Sequence, residues 1–542
     1  MVAARDFNQH RNLLVPQVSR WPLDLARPVI ELDDVSIGFG DKRVLDGLSL
    51  EIETGKTTVI LGCAGSGKSV LLKLMMGLLH PDHGRVLAFG RDLARVSPVE
   101  LLELRKRMGM LFQNYALFDA LSVDDNVGFT LAENSKLRHD EISSRSHELL
   151  QMLDLVGSER LLPGELSGGM RKRVSLARAL VANPEVVLYD EPTTGLDPVM
   201  VERVDELIAL ASTRHQITSV LISHDLTSTK RLADAVAFLD AGKIVFAGTF
   251  DQLMASKLAQ VRRFVDAAVV PRRIEQLVAS PAIYETPVIE LVAVNKYFGP
   301  KHVLRGVDLR IYPRRTTVVI GASGSGKSVI IKHIMGLLKP DTGSVLAFGR
   351  DVSAMDDREL AQMRTHFGMV FQHAALLDWL SVYDNVAFPL AERRVVSRAE
   401  VHARVEALLE RLDLAEISRR MPGDLSLGQR KRVGLARAIV TRPDVVIYDE
   451  PTTGQDPLWT REIDDTIQQM QAQFDLTSIV ISHDTRSAFR IADMIAMLHE
   501  GTIVAFGTPA EVRASRNEHV QRFIHAGEAE LVKTPARRVQ TG

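Results

Sequence analysis

The sequence predicts an α/β protein made of two similar domains in one chain. Three observations lead to this prediction: a long internal repeat, two glycine-rich phosphate loops that each follow an apolar run, and further apolar runs downstream of each loop. Short apolar runs that alternate with helical stretches are typical of a parallel sheet covered by helices. We therefore expect two α/β cores.

The internal repeat has a constant offset. The segment PVIEL begins at position 28 and again at position 287, and Lys68 and Lys327 keep the same offset of 259 residues. A period of this length indicates a duplicated domain, since solenoid repeats span about 20 to 50 residues. We expect an N-terminal extension over 1–27, a first domain over 28–269, a linker over 270–286, a second domain over 287–528 and a C-terminal tail over 529–542.

Each domain is expected to carry a helical insertion. The stretches of about 98–165 and about 357–424 show apolar residues at helical spacing, whereas the apolar runs VVLY and SVLIS that follow in the first domain predict buried parallel strands. The second domain repeats this order with VVIY and SIVIS.

Composition restricts the function classes. With 46% hydrophobic and 25% charged residues the chain has the balance of a globular protein, and its net charge of -2 offers no general attraction to nucleic acid. Cys63 is the only cysteine, which favours a reducing, cytoplasmic compartment. Neither a secretory signal nor an apolar run long enough to span a bilayer is expected.

Both domains contain a phosphate-binding loop. GCAGSGKS at 62–69 and GASGSGKS at 321–328 match the G-x-x-x-x-G-K-[ST] pattern, and each lies between a predicted strand and a predicted helix. Glycine lets the backbone N–H groups point at the phosphates, the lysine reaches the terminal phosphates, and the serine hydroxyl suits Mg²⁺. The predicted nucleotide-binding residues of these loops are Gly62, Gly65, Ser66, Gly67, Lys68 and Ser69, with Gly321, Gly324, Ser325, Gly326, Lys327 and Ser328.

An acidic pair ends an apolar strand in each domain. LYDE places Asp190 and Glu191, and IYDE places Asp449 and Glu450, where α/β sheets bind their ligands. The aspartates suit Mg²⁺, and the glutamates are candidates to orient or deprotonate the attacking water. A salt bridge or a helix cap is the alternative role for either carboxylate.

With these motifs in order, the sequence resembles the ABC ATPase family over nearly its whole length. The resemblance implies ATP and Mg²⁺ as cofactors, ATP hydrolysis as the activity, and P-loop NTPase domains, each with a mainly parallel sheet, an antiparallel β subdomain and a helical insertion. It also implies roles for further residues: Q-loop glutamines Gln113 and Gln372 near Mg²⁺, D-loop aspartates Asp197 and Asp456, switch histidines His224 and His483, and Phe39 and Phe298 on the adenine.

The signature motif of the family is represented by LSGGM at 166–170 and LSLGQ at 425–429. In the family this motif acts on the nucleotide of the opposite domain, which implies two composite sites. Site one is expected to combine Lys68, Gln113, Asp190, Glu191 and His224 with Ser426, Gly428 and Gln429. Site two is expected to combine Lys327, Gln372, Asp449, Glu450 and His483 with Ser167, Gly168 and Gly169.

The two sites depart from the family pattern in different ways. Leu427 replaces the first signature glycine of the second domain, and Met170 replaces the final glutamine of the first. A branched side chain at a position of close backbone approach predicts slower hydrolysis at site one.

The segments after the two glutamines resemble the Mla or Mkl group of lipid-transport ATPases, as do LSGGM, GQDP and the endings RRFVDA and QRFIHAG. This resemblance implies a location on the cytoplasmic face of the membrane and partnership with a permease, with lipid-binding MCE proteins and a small regulatory subunit as possible further partners. Tyr115, Leu117, Phe118 and Leu121 lie where the family receives the permease, although core packing is an equal alternative for them.

Other functions remain open at this point. A sugar importer would keep the transport activity and change the cargo. A tandem-cassette translation factor fits less well because its linker is long and charged, and a repair ATPase with a cysteine zinc cluster is incompatible with a single cysteine.

Overall fold

The computed structural model describes residues 27–40, 42–113, 115–269, 286–371, 374–393 and 396–527. The expected extension up to residue 26, the linker from 270 to 285 and the tail over 529–542 lie outside the described residues. The chain folds as two compact units, the first and the second cassette. Among the described residues, no helix is both long enough and apolar enough to cross a bilayer.

The first cassette contains two sheets and a set of helices. Its strands are β1 (Pro28–Phe39), β2 (Lys42–Glu53), β3 (Thr57–Gly62), β4 (His83–Ala88), β5 (Arg91–Asp92), β6 (Met108–Leu111), β7 (Val186–Asp190), β8 (Thr218–Ile222), β9 (Ala235–Asp240) and β10 (Lys243–Gly248). Its helices are α1 (Lys68–Met75), α2 (Pro98–Lys106), α3 (Val123–Asn134), α4 (His139–Met152), α5 (Gly168–Leu180), α6 (Pro198–His215), α7 (Leu226–Leu232), α8 (Phe250–Ala255) and α9 (Ala259–Ala268).

The six-stranded sheet of the first cassette has the order β10-β9-β3-β8-β7-β6, in which all neighbours are parallel except β10 and β9. The four-stranded sheet β2-β1-β4-β5 is antiparallel. Strands β3, β7 and β8 are buried along their whole length, as continuous apolar runs in a central parallel sheet require. The predicted α/β fold with an antiparallel subdomain is confirmed.

The second cassette repeats this architecture. Its strands are β11 (Ile289–Phe298), β12 (Lys301–Ile311), β13 (Thr316–Ile320), β14 (Thr342–Ala347), β15 (Arg350–Asp351), β16 (Phe367–Val370), β17 (Val445–Asp449), β18 (Thr477–Ser482), β19 (Met494–His499) and β20 (Thr502–Gly507). Its helices are α10 (Lys327–Ile334), α11 (Asp357–Met363), α12 (Val382–Arg393), α13 (Arg398–Arg411), α14 (Leu427–Ile439), α15 (Pro457–Phe474), α16 (Thr485–Ile491), α17 (Pro509–Arg513) and α18 (Glu518–Gly527). The sheet orders are β16-β17-β18-β13-β19-β20 and β12-β11-β14-β15.

The range expected to be a helical insertion contains one sheet strand in each cassette. Strand β6 pairs in parallel with β7, and β16 pairs in the same way with β17. These strands span only four residues, so helical patterns on either side obscure them in the sequence. In the first cassette the helices after β6 begin at Val123.

A buried histidine distinguishes the core of the second cassette. His333 on α10 is fully buried and its Nδ1 lies 2.7 Å from the carbonyl oxygen of Val329, whereas the first cassette has Leu74 at the same offset. Burial lowers the pKa of His333 below its ordinary value. The folded state therefore favours the neutral ring.

This burial predicts acid sensitivity of the second cassette. Below about pH 6.5 the unfolded chain protonates His333 more readily than the folded chain does, so stability is lost as the pH falls through the lowered pKa. We expect His333→Leu to reduce the loss of melting temperature between about pH 7.5 and about pH 5.5. Scanning calorimetry of the full chain measures this, and an unchanged pH dependence would contradict the prediction.

Candidate functional site

The first phosphate loop connects β3 to α1. Lys68 begins the helix directly after Gly67, which has a left-handed backbone. Gly62 has to be glycine because a Cβ atom there would lie 2.3 Å from the carbonyl oxygen of Leu239. A Cβ on Gly65 would meet nothing within 4 Å, so the middle of the loop leaves room for a ligand.

The donors of this loop suit phosphate. The ammonium of Lys68 donates to the carbonyl oxygens of Gly62 and Cys63, both at 2.8 Å, and so lies over the loop. In the described part of the chain the buried hydroxyl of Ser66 has no hydrogen-bond partner. A phosphate oxygen would satisfy this hydroxyl, and the N-terminus of α1 adds backbone N–H groups for the same anion.

The second phosphate loop has the same construction. Lys327 donates to the carbonyl oxygens of Gly321 at 2.7 Å and Ala322 at 3.0 Å. The hydroxyl of Ser325 is buried and, within the described ranges, likewise unpaired. Burial lowers the pKa of Lys327.

Two side-chain oxygen atoms of the first cassette lie close together and are suited to coordinate Mg²⁺. Ser69 Oγ lies 3.3 Å from Oδ1 of Asp190, the last residue of β7. Hydroxyl and carboxylate oxygens are ligands that Mg²⁺ prefers, so these residues fit the ion. Burial raises the pKa of Asp190, and a nearby cation would oppose that shift.

For the other predicted metal ligands among the described residues, the structure gives positions in the fold but no contact between them. Ser328 lies in the first turn of α10 and Asp449 ends β17, where burial raises its pKa. Gln113 is exposed, two residues after the end of β6. Gln372 lies outside the described residues.

A carboxylate and an imidazole meet in each cassette. Oε1 of Glu191 lies 3.5 Å from Nδ1 of His224, and Oε2 of Glu450 lies 2.7 Å from Nδ1 of His483. Lys327 approaches Glu450 as well, with its Nζ at 3.8 Å from Oε1. The structure thus brings the predicted glutamate and histidine together twice.

These contacts set the charge of the glutamates. Burial alone would raise the pKa of Glu191, but the hydrogen bond and charge of His224 and the hydroxyl of Thr194 outweigh burial and lower it to about 2. The pKa of Glu450 is lowered in the same way, chiefly by His483 against the effect of burial. Both side chains are therefore carboxylates at neutral pH, suited to accept a hydrogen bond from water.

The backbone at both glutamates is strained. Glu191 has φ of 51° and Glu450 has φ of 50°, in the left-handed region that residues with a Cβ rarely adopt. Such a conformation costs about 1 to 3 kcal/mol and is typical of functional positions. The amide of Glu191 donates to the carbonyl oxygen of Ile222 at 3.1 Å, which ties the strained residue to the end of β8.

Sequence reasoning missed one residue in each site. Thr194 Oγ1 donates to Oε2 of Glu191 at 2.7 Å, and Thr453 Oγ1 donates to Oε2 of Glu450 at 2.8 Å. Each glutamate is thus held by a hydroxyl on one oxygen and contacted by an imidazole. The repeated pair of threonines after the DEP triplet was a signal for these contacts.

The signature segments form helix N-termini. Ser167 caps α5 by accepting from the amide of Met170 at 3.2 Å, and Ser426 caps α14 by accepting from the amide of Gln429 at 3.3 Å. The side-chain oxygen of Gln429 also accepts a hydrogen bond from the amide of Ser426 at 3.0 Å. A methionine, which stands at the matching position of the first cassette, cannot accept this bond. The side chain of Leu427 lies outside the described residues.

Gly428 has a clear steric reason to be glycine. A Cβ atom there would lie 2.1 Å from Cζ3 of Trp459 on α15, so the indole packs directly against the signature helix. Asp456 is the N-cap of α15, and both Asp456 and Asp197 are buried. Phe39 and Phe298 are exposed at the ends of β1 and β11, as a platform for a flat ring requires.

The segment after Gln113 is held by hydrogen bonds from the signature helix α5. Arg178 on α5 donates to the carbonyl oxygens of Tyr115 at 2.9 Å and Ala116 at 2.6 Å. The buried amide of Asn126 holds the backbone of Phe118 from the other side, while the ring of Phe118 is 44% exposed. In the second cassette Trp379 is 73% exposed in the matching segment.

Comparison with known proteins shows which family the chain resembles. The family model described as ABC transporter matches residues 45–194 and 304–453. The chain is 28% identical over 94% of its length to the Peptidoglycan transport ATP-binding protein YejF of Agrobacterium fabrum, of which it covers 98%.

Two other relatives match a shorter part of the chain. The Intermembrane phospholipid transport system ATP-binding protein MlaF of Haemophilus influenzae is 39% identical over 44% of this chain and 90% of its own length. The Probable ribonucleotide transport ATP-binding protein mkl of Mycobacterium leprae is 36% identical over 54% of this chain and 83% of its own length.

The glutamate–histidine pair predicts an altered histidine titration. Burial by itself would lower the pKa of His224, but the hydrogen bond and charge of Glu191 raise it above its ordinary value. The contribution of the charged pair to folding is complete between about pH 4.5, where Glu191 titrates in the unfolded chain, and about pH 6.5, and it fades as the pH rises through the raised pKa of His224. We expect Glu191→Gln to bring the pKa of His224 below about 6.5, as measured by NMR of histidine-labelled protein.

The exposed Glu103→Gln change is the matched control for this titration and leaves the pKa of His224 where it was. An equal pKa of His224 in the unchanged chain and in Glu191→Gln would contradict the pairing.

Proposed function

Because the chain belongs to the ABC transporter family and is an ABC ATPase, we propose that it drives a membrane permease that transports phospholipid or another lipid. The observation that carries the mechanism is the convergence of lysine, aspartate, glutamate and histidine at the ends of the central strands in both cassettes. The lipid cargo is supported by the similarity to the phospholipid relative.

The roles that we propose for the lysines, glutamates and histidines follow from their contacts. Lys68 and Lys327 bind the terminal phosphates of ATP, and Glu191 and Glu450 orient the water that attacks the γ-phosphorus as its bond to the bridging oxygen breaks. Because the pKa of Glu191 is about 2, it acts as a hydrogen-bond acceptor for this water more readily than as a proton store. His224 and His483 keep the carboxylates in place.

We further propose Mg²⁺ as the cofactor, held by Ser69, Gln113 and Asp190 in site one and by Ser328, Gln372 and Asp449 in site two. When bound, the ion neutralises charge on the phosphates. The signature helices complete the sites in trans: Ser426, Gly428 and Gln429 for site one, and Ser167, Gly168 and Gly169 for site two. We also propose that Asp197 and Asp456 act as D-loop aspartates and that Phe39 and Phe298 stack on the adenine.

A docking surface for the permease is proposed on the segments Tyr115–Leu121 and 374–380. Phe118 and Trp379 expose large apolar rings, and the start of each segment accepts hydrogen bonds from an arginine of the signature helix. An exposed ring on a rigid loop is the usual form of a partner anchor. We propose in addition that the chain acts on the cytoplasmic face of the membrane, with MCE proteins and a small regulatory subunit as further partners.

A different cargo is the second candidate. The tandem relative that matches nearly the whole chain carries the name of a peptidoglycan transport protein, so a peptidoglycan-derived cargo shares the same mechanism. The permease that accompanies the chain distinguishes the two.

Co-purification tests the proposed partner and cargo. The Glu191→Gln, Glu450→Gln double variant is expected to retain ATP, and from solubilised membranes it should bring down a permease together with MCE proteins. A peptide or sugar permease in their place would contradict the lipid cargo, and ribosomes would contradict transport altogether.

The docking surface has its own matched pair of variants. Phe118→Asp with Trp379→Asp should abolish permease recovery without reducing ATP hydrolysis by the isolated chain, whereas Val99→Asp, at a residue that is 71% exposed elsewhere, should not affect recovery. Undiminished recovery with the first pair would contradict docking at these segments.

The departures in the signature predict unequal sites. Glu450→Gln leaves turnover to site one, which carries Leu427, and Glu191→Gln leaves it to site two. We expect Glu191→Gln to keep a residual ATPase rate roughly three- to tenfold higher than that of Glu450→Gln, because a branched residue replaces a glycine in the signature proposed for site one. Adding Leu427→Gly should raise the rate in the Glu450→Gln background, and equal residual rates would contradict the prediction.

A further inference from the structure

Each signature helix buries a lysine that the proposed mechanism does not use. Lys172 on α5 is 2% exposed and Lys431 on α14 is 8% exposed, and the two occupy the same position of the repeat. Neither lysine belongs to a phosphate loop. Both lie in the second turn of a helix whose N-cap is the signature serine.

In the first cassette the lysine contacts the turn that follows the glutamate. Lys172 Nζ donates to the carbonyl oxygen of Thr194 at 2.6 Å. The hydroxyl of the same threonine donates to Glu191 at 2.7 Å. Two hydrogen bonds therefore lead from the ammonium group to the carboxylate through one residue.

The second cassette repeats this connection with a small change. Lys431 Nζ donates to the carbonyl oxygen of Pro451, the residue after Glu450, while Thr453 Oγ1 holds the carboxylate as before. The carbonyl oxygen of Thr453 accepts a hydrogen bond from the side-chain amide of Gln455 at 3.4 Å. The first cassette has Leu196 at that position, which offers no donor, so its lysine reaches the threonine carbonyl.

Electrostatics argue against a purely structural purpose. Burial lowers the pKa of Lys172 and of Lys431 to about 8. Burying an amine in this way costs free energy that an apolar side chain of similar volume would avoid. The same cost is present in both cassettes, at a position where the signature helix contacts the turn that follows the glutamate.

We propose that Lys172 and Lys431 are positioning residues for ATP hydrolysis, each of which ties the signature helix of its cassette to the turn that aims the glutamate. This inference rests on the proposed roles of Glu191 and Glu450. In the proposed composite sites, Ser167 serves site two while Glu191 serves site one. Lys172 therefore connects the signature of one site to the water-orienting carboxylate of the other.

Methionine and arginine substitutions separate positioning from packing. Methionine keeps most of the side-chain volume and removes the donor, whereas arginine keeps a charged donor. The Lys172→Met, Lys431→Met double variant of the full chain is expected to lose roughly ten- to hundredfold in kcat for ATP, with KM changed less than about twofold, because a misplaced carboxylate slows the chemical step. The Lys172→Arg, Lys431→Arg double variant should recover most of the loss.

Hydrogen exchange supplies a readout that does not depend on activity. In Lys172→Met the amides of Glu191 and of residues 193–195 should exchange faster, while those of β3 keep their protection. The exposed Lys136→Met variant is the control and changes neither exchange nor kcat. Normal kcat in the double methionine variant, equal losses with methionine and arginine, or faster exchange throughout the cassette would each overturn the positioning role.

The outcome is separable from that of the proposed function. If Glu191→Gln with Glu450→Gln hydrolyses ATP at the normal rate, the assigned roles of the glutamates fail. If that variant is inactive while the double methionine variant is normal, the glutamate assignment stands and the lysine inference fails.

Discussion

A negative charge buried at the end of a parallel strand is the constraint on which the rest of each cassette depends. Glu191 and Glu450 leave the central sheet in a left-handed backbone conformation and keep their charge because an imidazole and a hydroxyl contact each of them. Without those partners burial would favour the protonated form, which is a weaker hydrogen-bond acceptor and cannot take a proton from water. The sheet order, with the acidic strand next to the strand that leads to the histidine, supplies this neighbourhood.

Duplication has preserved that arrangement and varied its surroundings. Both cassettes keep the lysine, aspartate, glutamate, threonine and histidine at one offset, yet Gln455 and Leu196 alter which carbonyl oxygen the buried lysine reaches. Gln429 closes the cap of one signature helix and Met170 leaves the other with a single cap bond. The chemical groups are thus equal in number, and the difference lies in the hydrogen bonds around them.

Much of the fold and the principal site residues were predictable from the sequence, because fixed spacing and strand-length apolar runs report directly on a phosphate loop and a parallel sheet. The four-residue strands β6 and β16 were not predictable, since a run that short has no periodicity of its own. Thr194 was missed although it lies only three residues after Glu191 and belongs to a repeated threonine pair. Lys172 was missed for a different reason, because its contact depends on where α5 meets the turn after Glu191, which is a tertiary fact without a local pattern.

The central claim is that one chain holds two ATP-hydrolysing sites built around Glu191 and Glu450. Native mass spectrometry of the Glu191→Gln, Glu450→Gln chain with ATP and Mg²⁺ tests it most directly, because loss of the carboxylates that we propose to orient the water should leave bound ATP uncleaved. The account predicts two molecules of intact ATP for each chain. A single ATP per chain, or bound ADP in place of ATP, would contradict it.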